Sequence, residues 1–136
     1  PAPPQPLTQE AVFKARQAVL SVHMAEAVEA YIVQLVIATR EPGAYDNELS
    51  DWLEFGASPR ATIALDRCAR ANAYLHGRDY VSPDDVQAVV TDCLKHRLIL
   101  SFEAEAAGVT RAPPHITHDL PPLNQPKIQR FTHHCL

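Results

Sequence analysis

Residues 56–86 read GASPRATIALDRCARANAYLHGRDYVSPDDV, and this stretch decides the fold because it holds two helix openings of one type. At Ser58-Pro59 and again at Ser82-Pro83-Asp84-Asp85, a serine stands ready to cap free backbone amides, and the proline after it has no amide to lose. The first opening predicts a helix to about His76, with Gly77 at the position where a glycine ends a helix. Its expected core face is Ala64, Leu65, Cys68, Ala71 or Asn72, and Leu75. Ala57, Ala61, Ala64, Ala69, Ala71 and Ala73 make it narrow, so a neighbouring helix can approach closely. The second opening adds two carboxylates at the positive end of the macrodipole. Val86, Val89, Val90, Cys93 and Leu94 then form its apolar stripe, and Lys95, His96 and Arg97 suit its last turn.

Working outward, Thr8 is an N-cap, and Val12, Ala15 or Arg16, and Val19 recur at helical spacing, which predicts a first helix to about Ala18. Val28, Ile32, Leu35, Val36 and Thr39 place one stripe on a second helix over Ala25 to Arg40, stopped by Pro42-Gly43. A helical turn is expected near Leu49 to Glu54, with Trp52 and Phe55 folded back onto the core, and another over Ala104 to Ala107. Leu20-Ser21-Val22 and Leu98 to Phe102 alternate and are read as a very short two-stranded β pairing. The fold class is all-α, a compact bundle of about four to five helices.

The whole chain has 136 residues, of which 46% are apolar and 21% charged, so one self-supporting core needs neither disulfides nor a structural metal. Of its 12 prolines, four lie in 1–6 and five in 113–126, which divides the chain into a linker (1–6), a folded domain (7–110) and an extended or disordered Pro/His-rich tail (111–136). A start at Pro1 rather than Met points to a piece of a longer chain. Of 12 basic and 16 acidic residues, all but 3 and 1 precede residue 111, so the folded part is acidic and does not suit a DNA-gripping surface. No apolar run approaches the length of a membrane span and no signal peptide opens the chain, so a cytoplasmic location is expected. Cys68, Cys93 and Cys135 have no metal or disulfide spacing, and Cys68 and Cys93 are read as core residues. Four of the seven histidines (His115, His118, His133, His134) lie in the tail, where no scaffold supports a metal site, and no metal ligand is assigned.

No phosphate-binding loop or hydrolase motif occurs, so no self-sufficient active site is visible. The informative residue is Arg60. Capping puts it in the first turn of a helix, where a cation costs about 0.3–1 kcal/mol and an arriving phosphate is the natural compensation. An ordinary salt bridge to Asp51 or Glu54 is the equal alternative. Arg78 and Asp79 read as a surface pair, and His96-Arg97 as a helix C-cap.

The run GASPRATIALDRCARANAYLHGRDYVSPDDV with VTDCLKHRLIL after it, and LTQEAVFKARQAVLSV and AEAVEAYIVQLVIATR before it, resembles the C-terminal helical lid of MoxR-family AAA+ ATPases over 7–110. That resemblance implies an AAA+ lid fold in which Arg60 is the sensor-2 residue, reaching the γ-phosphate of ATP with magnesium on a preceding core domain. It also implies that Ser58, Pro59 and Ile32 belong to the nucleotide-facing region, with Ile32 and Pro59 near the adenine. The partners implied are the missing core domain, neighbouring subunits of a homo-oligomeric ring, and often a protein bearing a von Willebrand A domain, in chaperone-like work. The piece alone is expected to have no ATPase activity. The competing reading is a small helical protein-interaction or histone-like module without a nucleotide role.

Overall fold

The computed structural model describes residues 5–44 and 47–108. Most of the 1–6 linker and the whole 111–136 tail, with Cys135 and the four tail histidines, lie outside the described residues. The elements are α1 (Gln9–Ser21), α2 (Glu26–Arg40), a 3-10 turn (Pro42–Ala44), α3 (Asn47–Trp52), β1 (Leu53–Phe55), α4 (Arg60–Leu75), α5 (Pro83–Leu94), β2 (Ile99–Leu100) and α6 (Phe102–Ala106). The fold is a helical bundle with a two-stranded antiparallel sheet in which Leu53 pairs with Leu100 and Phe55 with Ile99.

Thr8 caps α1 by accepting a 3.2 Å bond from the Ala11 amide, but the helix runs on to Ser21. Leu20 and Ser21 are therefore helical, and the strand partner of Ile99–Leu100 is Leu53–Phe55. Three alternating residues at the end of a helix carry no period of their own, which is why the pairing expected there does not form. Phe55 is 59% exposed rather than folded inward, and Leu53 is the β1 residue packed on the core. Ser101 joins the far end to α3: its amide donates to the Trp52 carbonyl at 2.8 Å and its hydroxyl to the Asp51 carbonyl at 2.6 Å.

α4 and α5 form the centre. The buried face of α4 is Ala61, Leu65, Ala69 and Ala73, a ridge four residues apart; of the expected face, Leu65 is buried, while Ala64, Ala71 and Asn72 are partly covered. Leu75 is 80% exposed and Cys68 is also exposed. Alanine lets α4 pack closely on the helices around it, and a hydrophobicity pattern under-reads alanine. On α5 the buried residues are Val86, Val90, Cys93 and Leu94, with Val89 partly covered, in agreement with the stripe. α4 ends in a Schellman motif: Gly77 has φ 72, its amide donates to Tyr74, and the Arg78 amide reaches back to Ala73.

The hairpin is held by one carboxylate. Asp85 is 1% exposed, at the third position of α5, and completes a capping box with Ser82. Its two oxygens accept 2.6 Å bonds from both Nη atoms of Arg78, a 2.8 Å bond from Asn72 on α4, and 2.8 Å bonds from the Ser82 amide and hydroxyl. Arg78 thus pairs across the turn with Asp85 and not with its neighbour Asp79. The Asp79 carbonyl instead accepts from the His23 amide at 2.8 Å, while the His23 carbonyl accepts from the Val81 amide, which ties the α1–α2 link to the α4–α5 link. Arg70 adds a bond to the Val22 carbonyl from the same side.

Burial alone would raise the Asp85 carboxyl. The hydrogen bonds from Arg78, Ser82 and Asn72 outweigh it and hold Asp85 well below the usual carboxylate range. A carboxylate depressed in the folded state contributes stability above its unfolded pKa, and that contribution fades as pH falls below about 4. Asp85→Ala is expected to lower unfolding stability by about 3 kcal/mol near neutral pH, since it leaves a charged partner network unanswered. In urea titrations near neutrality and at about pH 3, the gap between wild type and variant narrows at the lower pH.

Candidate functional site

The segment between β1 and α4 is placed by a contact between two backbones. A Cβ on Gly56 would lie 2.0 Å from the Thr39 carbonyl oxygen and 2.8 Å from Arg40 Cα, so only glycine lets the chain cross the end of α2 this closely. Thr39, 4% exposed, fastens the crossing: its hydroxyl donates to the Val36 carbonyl at 2.7 Å and accepts the Ala57 amide at 3.0 Å. Ala57 is fully buried beneath the turn, and the Arg40 guanidinium reaches its carbonyl at 3.5 Å.

Beyond Ala57 the chain emerges. Pro59 has φ −55 and ψ −23, already helical, and the Ser58 hydroxyl makes no capping bond. The Ser58 carbonyl instead accepts from the Ala61 amide at 2.8 Å, and the Pro59 carbonyl from the Thr62 amide at 3.1 Å and the Thr62 hydroxyl at 2.6 Å. At the matching opening of α5 the third residue after the serine is Asp85, whose carboxylate engages the Ser82 amide and hydroxyl; after Ser58 that position is Ala61, which offers no side-chain partner. Two first-turn amides are satisfied internally, so what the turn presents outward is the cation of Arg60 rather than a cluster of free amides.

Ser58, Pro59 and Arg60 are all exposed, side by side. The first turn of α4 contains no acidic residue, and Arg60 has no ion pair or side-chain hydrogen bond among the described residues. The salt bridge to Asp51 or Glu54 is not formed. Ile32 is not brought to the same surface: it is 2% exposed on α2, in the core cluster that also contains Ala57 and Ala61. Gly56 and Thr39 are the positioning residues that sequence reading passes over. A threonine inside an otherwise aliphatic stripe is the available signal.

A second surface feature lies between α1 and the later turns of α4. α1 buries none of its residues, and an open groove of about 590 Å³ runs between it and α4, lined by Leu7, Val12, Leu20, Tyr74 and Leu75 with Arg16 and Arg67 beside them. Among the described residues no group of three His, Cys, Asp or Glu could hold a metal ion, and no helix is long and apolar enough to cross a membrane.

Residues 49–117 of this chain match the family model described as AAA lid domain. The chain belongs to that family, as the lid region of a MoxR-family AAA+ protein. It is 44% identical over 81 residues to Chaperone MoxR1 of Mycobacterium tuberculosis, which covers 59% of this chain and 22% of that protein. Against the uncharacterized protein YeaC of Bacillus subtilis it is 37% identical over 101 residues, 74% of this chain and 29% of the relative. The crystal structure of a candidate ATPase from Cytophaga hutchinsonii superposes with a TM-score of 0.72 at 43% identity, over 74% of this chain and 31% of that one. The chain thus spans less than a third of the length of each of these proteins.

Gly56→Ala is expected to cost about 1–3 kcal/mol of stability, because the clash is with backbone that has no rotamer to escape into. Thr39→Val, which strands the buried Ala57 amide, is expected to cost about 1–3 kcal/mol. Denaturant unfolding of the two variants measures both, and a neutral Gly56→Ala would show that the turn is not clamped as described.

Proposed function

We propose that Arg60 is the sensor-2 arginine of a MoxR-type AAA+ ATPase, reaching from this lid to the γ-phosphate of ATP bound with magnesium on a core domain outside residues 1–136. The observation that carries this reading is an exposed, permanently charged guanidinium, with no partner among the described residues, on a turn clamped by Gly56, Ala57 and Thr39. Such a side chain costs its own helix some stability and gains it back only when an anion arrives.

The donor set suits a phosphate and not a metal. Arg60 offers planar paired N–H donors, whereas the described residues gather no carboxylate or histidine cluster, so the magnesium belongs with the core domain and the nucleotide. ATP supplies the transferable phosphoryl group. Arg60 binds that group's oxygens and counters the charge that builds on them during transfer. Ser58 and Pro59 shape the approach beside it, and Ile32 with Pro59 stands towards the adenine side, Ile32 as packing behind the turn rather than as exposed contact. Because Arg60 rides on α4 and α4 is locked to α5, any change in its contacts moves the lid as a rigid body.

On this reading the lid works packed against its core domain and the neighbouring subunits of a homo-oligomeric ring in the cytoplasm, doing chaperone-like work alongside a von Willebrand A domain partner. The open apolar groove between α1 and α4 supports such packing, since a face of this kind is usually covered in an assembly.

In the full-length ATPase, Arg60→Ala is expected to lower hydrolysis by about 10²-fold or more, with Arg60→Lys recovering only part, because a point charge does not replace a paired donor. Residues 1–136 alone are expected to show no ATP turnover, and Arg60→Ala is expected to raise their thermal midpoint slightly, because it removes a cation from the start of a helix. A variant that loses activity only in proportion to lost folding would remove the sensor role.

A further inference from the structure

Two apolar surfaces of this chain stand uncovered, and the charges that flank them are opposite in sign. The first is the groove between α1 and α4, where Leu7, Leu20 and Leu75 are exposed. The two charged residues of its lining are both cations, Arg16 and Arg67, although acidic residues outnumber basic ones in the folded part. Both are exposed, and neither has an ion pair or side-chain hydrogen bond among the described residues, since Glu10 is taken by Lys14 and Asp66 by Arg70. The second surface is the end of the two-stranded sheet. Phe55 and Ile99 are cross-strand partners and both are exposed, and the bond from the Ser101 amide to the Trp52 carbonyl brings the exposed Phe102 to the same end. Its flanking charges are the carboxylates of Glu54, before Phe55, and Glu103, after Phe102, both exposed and without an ion pair among the described residues.

An apolar groove with unpaired arginines and an apolar end with unpaired glutamates complement each other, whereas each would repel its own kind. We propose that the sheet end of one copy of this chain docks in the α1–α4 groove of a second copy, its aromatic rings against the groove leucines and Glu54 and Glu103 facing Arg16 and Arg67. Charge selects a second copy over the chain's own 111–136 segment, which carries 3 basic residues and 1 acidic residue and would bring like charge to the two arginines. Because the contact joins unlike faces, every copy keeps one of each to offer, and the arrangement repeats head to tail and closes where the rotation allows. The inference rests on the homo-oligomeric ring proposed above and adds the lid faces that meet in it.

The test is sedimentation velocity of the 136-residue chain over a series of concentrations. Wild type is expected to associate as concentration rises, and less so in high salt. Arg16→Glu with Arg67→Glu, and separately Glu54→Lys with Glu103→Lys, are each expected to weaken association by about tenfold or more. All four side chains are exposed, so the thermal midpoint of each double variant stays near that of wild type. Mixing the two double variants is expected to restore association, because each then offers the other an opposite charge. A wild type that stays monomeric, association that ignores either reversal, or a mixture that stays apart would each overturn the docking. In the full-length ATPase, a ring that persists unchanged under either reversal would overturn this contact alone, whereas a full-length protein that stays monomeric with ATP would remove the ring itself.

Discussion

A carboxylate almost wholly removed from water has to be answered by donors, and the Asp85 carboxylate draws them from three places in the hairpin. Asn72 reaches it from α4, Arg78 from the turn, and the amide and hydroxyl of Ser82 from the start of α5. Because the bonds converge on one group, the α4–α5 angle cannot drift without leaving a buried charge exposed to its own desolvation. The network thereby fixes the C-terminal end of α4 against the start of α5.

The turn that presents Arg60 is held by a different device at the other end of α4. There the chain passes over the end of α2 with main chain against main chain, and one buried threonine hydroxyl serves as both donor and acceptor in the seam. The two devices fix α4 from both ends, one through charge and one through close approach. The backbone that bears Arg60 is thereby held at both ends of its helix, the rigid mounting that the proposed sensor role calls for.

How much of this is legible in the sequence depends on how local each cause is. The opening of α5, the stop at Gly77, the cap at Thr8 and the α2 stripe depend on neighbours within one helical turn, and sequence reading places them. The partner of Ile99–Leu100, the partner of Arg78 and the buried face of α4 depend on residues brought together by packing, and there the local signal misleads. Alanines are the instructive case: Ala61, Ala69 and Ala73 are fully buried in the core, whereas Leu75, the stronger hydrophobe, stands in solvent. At the site, Arg60 is legible because a cation at a helix start is an anomaly on its own terms. Gly56 and Thr39 are not, since their significance lies in each other.

The first helix shows the effect of withholding burial. With none of its residues buried, α1 has little apolar contact holding it to the bundle, and an open groove remains between it and α4. An outer helix held this lightly opens locally at a lower free-energy cost than the central hairpin, whose buried carboxylate ties its two helices together.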